Sequence, residues 1–370
     1  MRIAILGIKG VPGHHGVEVV VDSLLPHLVS MGHDITVYGY ESYTSSTDDY
    51  HGARVVAVGG SGNKNFEMFS HMWNASVDAR RRGFDIIHIH SSDPCILAWM
   101  QRPKIGLVAT SHGQAYLRKK WSLPARMMSK LAERFFIRVP DVRTSVSRPL
   151  CDYYETRYGK KVVYIPNGIT FREAPSTGHL ERWGLEPGRF IFCSSGRIER
   201  TKGLSTLLDA YVEAQPGMPL VIAGGGAGSD EAYMEELRSR NVEGVKFVGF
   251  LTGDDLFALY AHAGVFVFPS EYEAMSMALL EGLSFGVPTI YSDTPENDAV
   301  AEGLGYSFRV KDSHSLAERF LYVLSHRQEA LELGGRARES VRRHHDWAAV
   351  AKRYNEVYEQ LAARKRRGLK

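Results

Sequence analysis

Short runs dominated by valine, isoleucine and leucine recur along the chain, separated by stretches whose apolar residues return every three or four positions. In the first half the runs are Ile3–Leu6, Ile35–Tyr38, Val55–Val58, Ile86–Ile89, Leu107–Thr110, Val142–Thr144 and Val162–Ile165. Most are apolar on both faces, as parallel strands buried between helices must be. The pattern restarts at Phe190–Ser194 and runs on through Leu220–Ala223, Lys246–Val248, Val265–Phe268 and Thr289–Tyr291. Such alternation predicts two doubly wound α/β domains, with ligands bound where the strands end at their carboxyl termini. The turn-forming segment Ile165-Pro166-Asn167-Gly168-Ile169 marks the hinge, so the first domain takes 1–167 and the second 168–346.

Composition narrows the classes of function. A chain of 370 residues exceeds a single core, which agrees with two domains. The net charge of +3 is too small for a nucleic-acid binder, and no array of aromatic and basic residues supports one. Cys95, Cys151 and Cys193 are scattered and odd in number, which points to a reducing compartment and no disulfide framework. Met1 leads straight into a strand, and no apolar stretch approaches the roughly 20 residues that span a bilayer. The expected location is the cytoplasm, with attachment at most to the inner face of the plasma membrane.

Four segments carry chemistry. In Pro269 to Pro288, P-S-E-Y-E-A-M-S-M-A-L-L-E-G-L-S-F-G-V-P, Glu273 and Glu281 flank a turn that opens into a helix. The free N–H groups and positive dipole end of such a helix suit phosphate, and Glu281, about two turns in, reaches sugar hydroxyls. Gly196-Arg197-Ile198-Glu199-Arg200-Thr201-Lys202-Gly203 follows the first strand of the second domain. Arg197 offers a planar fork for phosphate and Lys202 a point charge, whereas Arg200 reads as a surface residue. The alternative for this segment is a solvated basic loop. Gly7-Ile8-Lys9-Gly10-Val11-Pro12-Gly13-His14-His15-Gly16 leads from the first strand into a helix. Its spacing is G-x-x-G-x-x-G rather than the G-x-G-x-x-G of a nicotinamide site, which weakens a dinucleotide reading. His112, in Thr110-Ser111-His112-Gly113, closes a first-domain strand where ligands bind. His88 and His90 share one strand face, a spacing open to a metal, but no partnering ligands support one and a structural role is favoured.

Together these segments resemble family 4 glycosyltransferases. The glutamate pair with its flanks is similar to their E-x7-E motif, the Arg197–Lys202 loop to their G-R-x-x-x-x-K-G loop, and Thr110–Gly113 to their T-x-H-G histidine. Asp85–Ser91 and the strand with glycines Leu220–Ala227 also match. The resemblance implies a GT-B fold: two doubly wound Rossmann-like domains facing a central cleft, the first completed by a C-terminal helix within 347–370. It implies a retaining transfer of a sugar from a nucleoside diphosphate donor, with no metal cofactor; no D-x-D pair is present to hold one. His112, Arg197, Lys202 and Glu273 then carry catalysis, with His112 and Glu273 on the donor sugar and the two cations on the departing diphosphate. Gly16, Gly196 and the N–H groups near Met275, Ser276 and Met277 bind the donor phosphates, and Glu281 the ribose. The family's first loop has a Gly-Gly pair where this chain has His15-Gly16, a departure that leaves His15 without an assigned role. Phe247–Leu251 is expected near the nucleobase. The nearest likeness is to bacterial enzymes of cell-surface polysaccharides, rhamnosyltransferases included, so the acceptor is expected to be a surface or lipid-linked glycan. The rivals are a GT-B epimerase, a non-catalytic nucleotide-sugar binder, and an NAD-dependent oxidoreductase.

Leu117 to Arg138 adds a possible partner. Arg126, Lys130, Arg134 and Arg138 recur every four residues beside an apolar stripe of Met127, Leu131 and Phe135, widened by Met128 and Phe136, with Arg118-Lys119-Lys120-Trp121 just before. Such a helix either lies on an anionic membrane or packs its apolar side on the domain. The closing Arg364–Arg367 run reads as a solvated tail.

Overall fold

The computed structural model of the chain describes residues 1–13, 16–63, 66–101, 104–114, 116, 122–226, 228–273 and 275–368. They divide into two compact units, Met1–Gly168 with Trp347–Lys370, and Ile169–Asp346.

In the first unit the strands are β1 (Arg2–Leu6), β2 (Asp34–Tyr40), β3 (Thr47–Tyr50), β4 (Ala53–Val58), β5 (Ile86–His90), β6 (Gly106–Ser111), β7 (Val142–Ser145) and β8 (Val163–Tyr164). They form one sheet in the order β3-β4-β2-β1-β5-β6-β7-β8, with every pair parallel except β3 and β4. β5 sits centrally, with His88 opposite Val108 and His90 opposite Thr110 of β6. The helices are α1 (Val17–Ser30), α2 (Glu67–Arg82), α3 (Leu123–Arg138) and α4 (Arg148–Tyr158), and α12 (Trp347–Arg366) joins them from the far end of the chain. One core lies under α1 and α12, where Leu24, Leu25 and Leu28 meet Val350, Tyr354, Tyr358 and Leu361. The other lies under α2, α3 and α4, around Met72, Phe136 and Tyr154.

The second unit holds β9 (Ile191–Ser195), β10 (Leu220–Gly224), β11 (Val245–Gly249), β12 (Val265–Phe268), β13 (Thr289–Ser292) and β14 (Tyr306–Phe308), all parallel, in the order β11-β10-β9-β12-β13-β14. Its helices are α5 (Leu204–Ala214), α6 (Glu231–Ser239), α7 (Gly253–His262), α8 (Met277–Phe285), α9 (Pro295–Ala301), α10 (Ser313–Ser325) and α11 (Arg327–His344). Leu207, Leu208, Leu316 and Phe320 cover one face of the sheet. The other is closed by aromatic contacts, Tyr260 stacking on Phe285 and packing edge-on against Phe192. Strands β3 and β14 are additions to the pattern read from sequence. Thr47-Asp48-Asp49-Tyr50 is an exposed edge with no apolar periodicity, and β14 has three residues, too few to show one.

Candidate active site

In the second unit the loops after β9 and β12 are sewn together. Gly203 adopts φ +67°, and a Cβ there would run into the carbonyl oxygen of Pro269, so this junction admits only glycine. The Glu271 N–H donates to the Thr201 carbonyl at 2.8 Å, and the Ser270 hydroxyl reaches the same oxygen at 3.3 Å. This seam carries Lys202 to Glu273: Nζ donates to Oε1 at 2.5 Å, and the Ser270 hydroxyl donates to that oxygen at 3.0 Å. Both side chains are mostly buried, 17% and 20% exposed, so the pair is screened far less than a surface ion pair. Arg197, on the same loop, is exposed and has no recorded ion pair among the described residues. Gly196 beside it is exposed, and a Cβ there would meet nothing within 4 Å, which leaves room for a ligand against the backbone. Arg200 turns away to Glu236, as a surface residue should.

Glu273 leads into α8. Ser276, 2% exposed, caps the helix by accepting the Leu279 N–H at 3.1 Å. The cap takes one N–H of the first turn, and the others lie at the positive end of the helix dipole. Met275 is buried and Met277 half-buried, so neither side chain is fully exposed. Gly282 holds α8 close to β12, since a Cβ would enter the Phe266 ring. Glu281, half-buried, is pushed up to about 7 by burial, against the opposing pull of the Tyr260 hydroxyl and the Arg172 charge. The Tyr260 hydroxyl is fully buried, facing Glu281 and Ser194. Two further groups escaped the sequence reading. Arg172 lies over the Phe257 ring, 4.5 Å from its centroid. Glu296 is held above the usual carboxylate range, first by burial and then by the nearby Glu273 charge. Phe250 is exposed at the rim, its ring lying where a Cβ on Gly226 would fall.

The strand ends of the first unit, taken by itself, carry neutral groups. Gly16, at the start of α1, adopts φ 57° and ψ −123°, and a Cβ there would meet nothing within 4 Å. Gly13 N–H donates to Asp22 at 2.9 Å, which folds the preceding loop onto α1; His14 and His15 lie outside the described residues. His112 follows β6 and is half-buried. Its Nε2 pairs with Nδ1 of His90 at 3.0 Å, and the two rings stack with centroids 5.3 Å apart. His90 in turn lies 4.1 Å from the His88 ring. His88 is held at both nitrogens, by the Tyr358 hydroxyl at 2.7 Å and the Thr110 hydroxyl at 2.7 Å. Burial lowers all three imidazoles, His88 to about 3 and His112 to about 4, so they are neutral at pH 7. The H-x-H spacing stacks the His88 and His90 rings, each hydrogen-bonded to other groups, and among the described residues no cluster has the makings of a metal site. Sequence reading missed the link, because Tyr358 lies 270 positions from His88.

The apolar stripe of α3 is split between the two readings: Phe136 is buried, while Met127, Met128 and Leu131 are exposed. The buried side of the helix is Ser129, Ala132, Glu133, Phe136 and Ile137. Glu133 is tolerated there because the Tyr158 hydroxyl and the Gln114 amide donate to it, at 2.7 and 3.1 Å. Small Ser129 sits against the 3-10 helix Asp93–Met100, donating to Asp93 at 2.6 Å. Leu123 and Met127 are instead 73% and 72% exposed, with Met128 and Leu131 also at the surface beside Lys130, Arg134 and Arg138. Trp99, on the neighbouring 3-10 helix, is exposed as well. Residues 117–121, basic with one tryptophan, lie outside the described residues.

Comparison with known proteins decides the family. A model described as Glycosyltransferase Family 4 matches residues 14–172, and one described as Glycosyl transferases group 1 matches 178–340. The chain belongs to the family 4 glycosyltransferases. It is 29% identical over 313 residues to an uncharacterized glycosyltransferase, YqgM, of Bacillus subtilis, covering 80% of this chain and 82% of that one. Its fold matches sucrose-phosphate synthase from Thermosynechococcus elongatus with a TM-score of 0.82 at 20% identity, over 98% of this chain and 99% of that one. It also matches Alr3699/HepE of Anabaena, solved in complex with UDP-glucose, with a TM-score of 0.76 at 16% identity over 97% and 100% of the two chains. This family 4 chain thus has the fold of GT-B glycosyltransferases.

Proposed function

We propose that this glycosyltransferase moves a sugar from a nucleoside diphosphate donor to an acceptor hydroxyl with retention of anomeric configuration. The observation that carries the reading is the Lys202–Glu273 pair, mostly buried and fixed by Ser270, one helix start away from Glu281. A lysine ammonium has three N–H donors; Glu273 takes one, and the others suit a phosphate oxygen. Arg197 and Lys202 supply fixed positive charge to the diphosphate as it leaves, in the role a metal ion plays elsewhere. The N–H groups of Met275 to Met277 hold phosphate, Gly196 and Gly16 let backbone approach it, and Glu281 accepts from the ribose hydroxyls. His112, neutral, hydrogen-bonds the donor sugar, and Glu273 orients its hydroxyls. In the front-face step the bond from the anomeric carbon to the phosphate oxygen breaks. The acceptor oxygen bonds to the same face of that carbon, and its proton passes to the departing phosphate. The complex of HepE with UDP-glucose supports a donor of this class.

The acceptor is a surface or lipid-linked glycan met at an anionic membrane. Exposed Leu123, Met127 and Leu131 beside Lys130, Arg134 and Arg138 favour that partner, since apolar side chains enter the headgroup boundary while cations meet anionic lipid. Among the described residues no helix is long and apolar enough to cross a membrane, so attachment is to the surface. Reversing Arg126, Lys130 and Arg134 to Glu is expected to release the chain from phosphatidylglycerol vesicles; equal binding of both forms removes this partner.

Donor recognition is tested by melting the protein with UDP, GDP, dTDP, ADP or NADH, each with and without EDTA. One nucleoside diphosphate is expected to raise Tm whether or not EDTA is present. A rise with NADH alone, or only where metal is free, overturns the reading.

A further inference from the structure

The histidine chain of the first unit reaches beyond the role assigned to His112. Two neutral imidazoles paired nitrogen to nitrogen must contribute one N–H and one lone pair, so the tautomers of His90 and His112 are coupled: where one donates the other accepts. His90 is 1% exposed and cannot rotate freely, for its ring lies between those of His88 and His112. His88 beneath it is pinned from two directions, by Thr110 on β6 and by Tyr358 on α12. Thr110 is itself anchored, sharing a hydroxyl pair with Thr144 of β7 at 2.6 Å. The backbone is equally constrained: Gly7, at φ +84°, lies where any Cβ would strike the His90 carbonyl oxygen.

We propose that His90 is a positioning residue that holds the His112 ring in one orientation and couples the His112 proton to its own, so that the hydrogen-bonding character of the remaining Nδ1 toward the donor sugar is set through His90. The inference rests on the reading of His112 as a sugar-contacting group. A tautomer left to choose would be wrong in part of the molecules and would cost transfer without costing much donor affinity, because the nucleotide is gripped elsewhere. The α12 helix enters as a support: Tyr358 fixes His88, and His88 floors the ring of His90.

The first test needs no substrate. Long-range proton–nitrogen spectra of the full chain, ¹⁵N-labelled at histidine, are expected to show His90 and His112 in the same neutral tautomer at pH 7, as their pairing requires, and a changed tautomer balance at His112 after His90→Leu. Different tautomers at the two rings, or an unchanged balance at His112 in His90→Leu, overturns the inference. Kinetics supply the second readout, on whichever of UDP-glucose, GDP-mannose, dTDP-rhamnose and ADP-glucose is turned over. His90→Leu is expected to lower kcat about tenfold or more with donor KM within about twofold, the cost of a misplaced catalytic group. His90→Asn, whose side-chain amide reaches the Nδ1 position, should restore most of that loss. Because His112→Ala already removes the group being positioned, the double variant His90→Leu/His112→Ala should be no slower than His112→Ala alone. Additive losses contradict the inference. An active His112→Ala enzyme instead removes the sugar-contacting role of His112, a separate failure.

Discussion

The strand ends of the two units are built from opposite materials. In the first unit His112 rests on imidazoles and hydroxyls, all uncharged at neutral pH. In the second, the strand ends carry Arg197, Lys202 and Glu273, and a helix dipole points at the same place. The contrast is chemical. A sugar offers hydroxyls, which neutral hydrogen-bonding groups can recognise without being titrated. A diphosphate offers charge, which needs fixed cations, and stabilising its growth during departure is the large term in such a reaction. The same doubly wound architecture thus places different chemistry at the same topological position, since the strands set where a residue sits and the loops decide what it is.

The contrast is broken most severely at Lys202. Lys202→Ala should lower kcat by two to three orders of magnitude, about 3–4 kcal/mol of lost charge stabilisation, and near-normal turnover would remove the diphosphate assignment. It also strands Glu273, leaving the Ser270 hydroxyl as its hydrogen-bond donor among the described residues, so a Lys202→Ala/Glu273→Gln variant separates lost catalysis from a destabilised loop when both are melted.

Glu281 gives the next effect, and its sign follows from burial. Its carboxyl titrates near 7, above the ordinary range, so below pH 7 it is mostly protonated. If the ionised form accepts the ribose hydroxyls, nucleoside diphosphate should bind about tenfold more tightly at pH 8 than at pH 6. Glu281→Gln should abolish that dependence, and a titration series with equal slopes for both forms would refute the ribose role. The raised value also bears on the unliganded fold. Protonated Glu281 stabilises it below the ordinary carboxylate range, and this contribution is lost as pH rises toward 7. Glu281→Gln should therefore gain in Tm relative to the unaltered protein at pH 8 and not at pH 4.5.

The smallest effect is expected at the far end of the histidine chain. Tyr358→Phe deletes the hydroxyl that holds His88 at 2.7 Å and should cost about 1 kcal/mol of stability, with a smaller loss of kcat than His90→Leu. An unchanged melting curve would detach α12 from the support of the site.

What could be read from sequence was whatever is contiguous. The buried strands announce themselves as Val/Ile runs, and the Arg197–Lys202 and Glu273–Glu281 segments each carry their spacing within one loop. What could not be read depends on residues that meet only after folding: His90 with His112, His88 with Tyr358, and Glu281 with Tyr260 and Arg172. The α3 helix shows a second kind of failure. Its periodicity was plain, but the apolar stripe at Met127 and Leu131 faces outward, because close packing on the 93–100 segment selects Ser129 and Ala132, and Glu133 finds its own donors. Periodicity gives the angle between two faces of a helix, and composition alone does not say which one is buried.

Whether fixed cations in the second unit read a diphosphate is tested by calorimetric titration of the unaltered protein and of Lys202→Ala, using the diphosphate that raises Tm and the matching monophosphate, with EDTA present. The unaltered protein is expected to bind the diphosphate at least tenfold more tightly, about 1.4 kcal/mol, and this margin should shrink in the variant. Equal affinity for the two nucleotides, or a margin that Lys202→Ala leaves intact, would contradict the diphosphate reading.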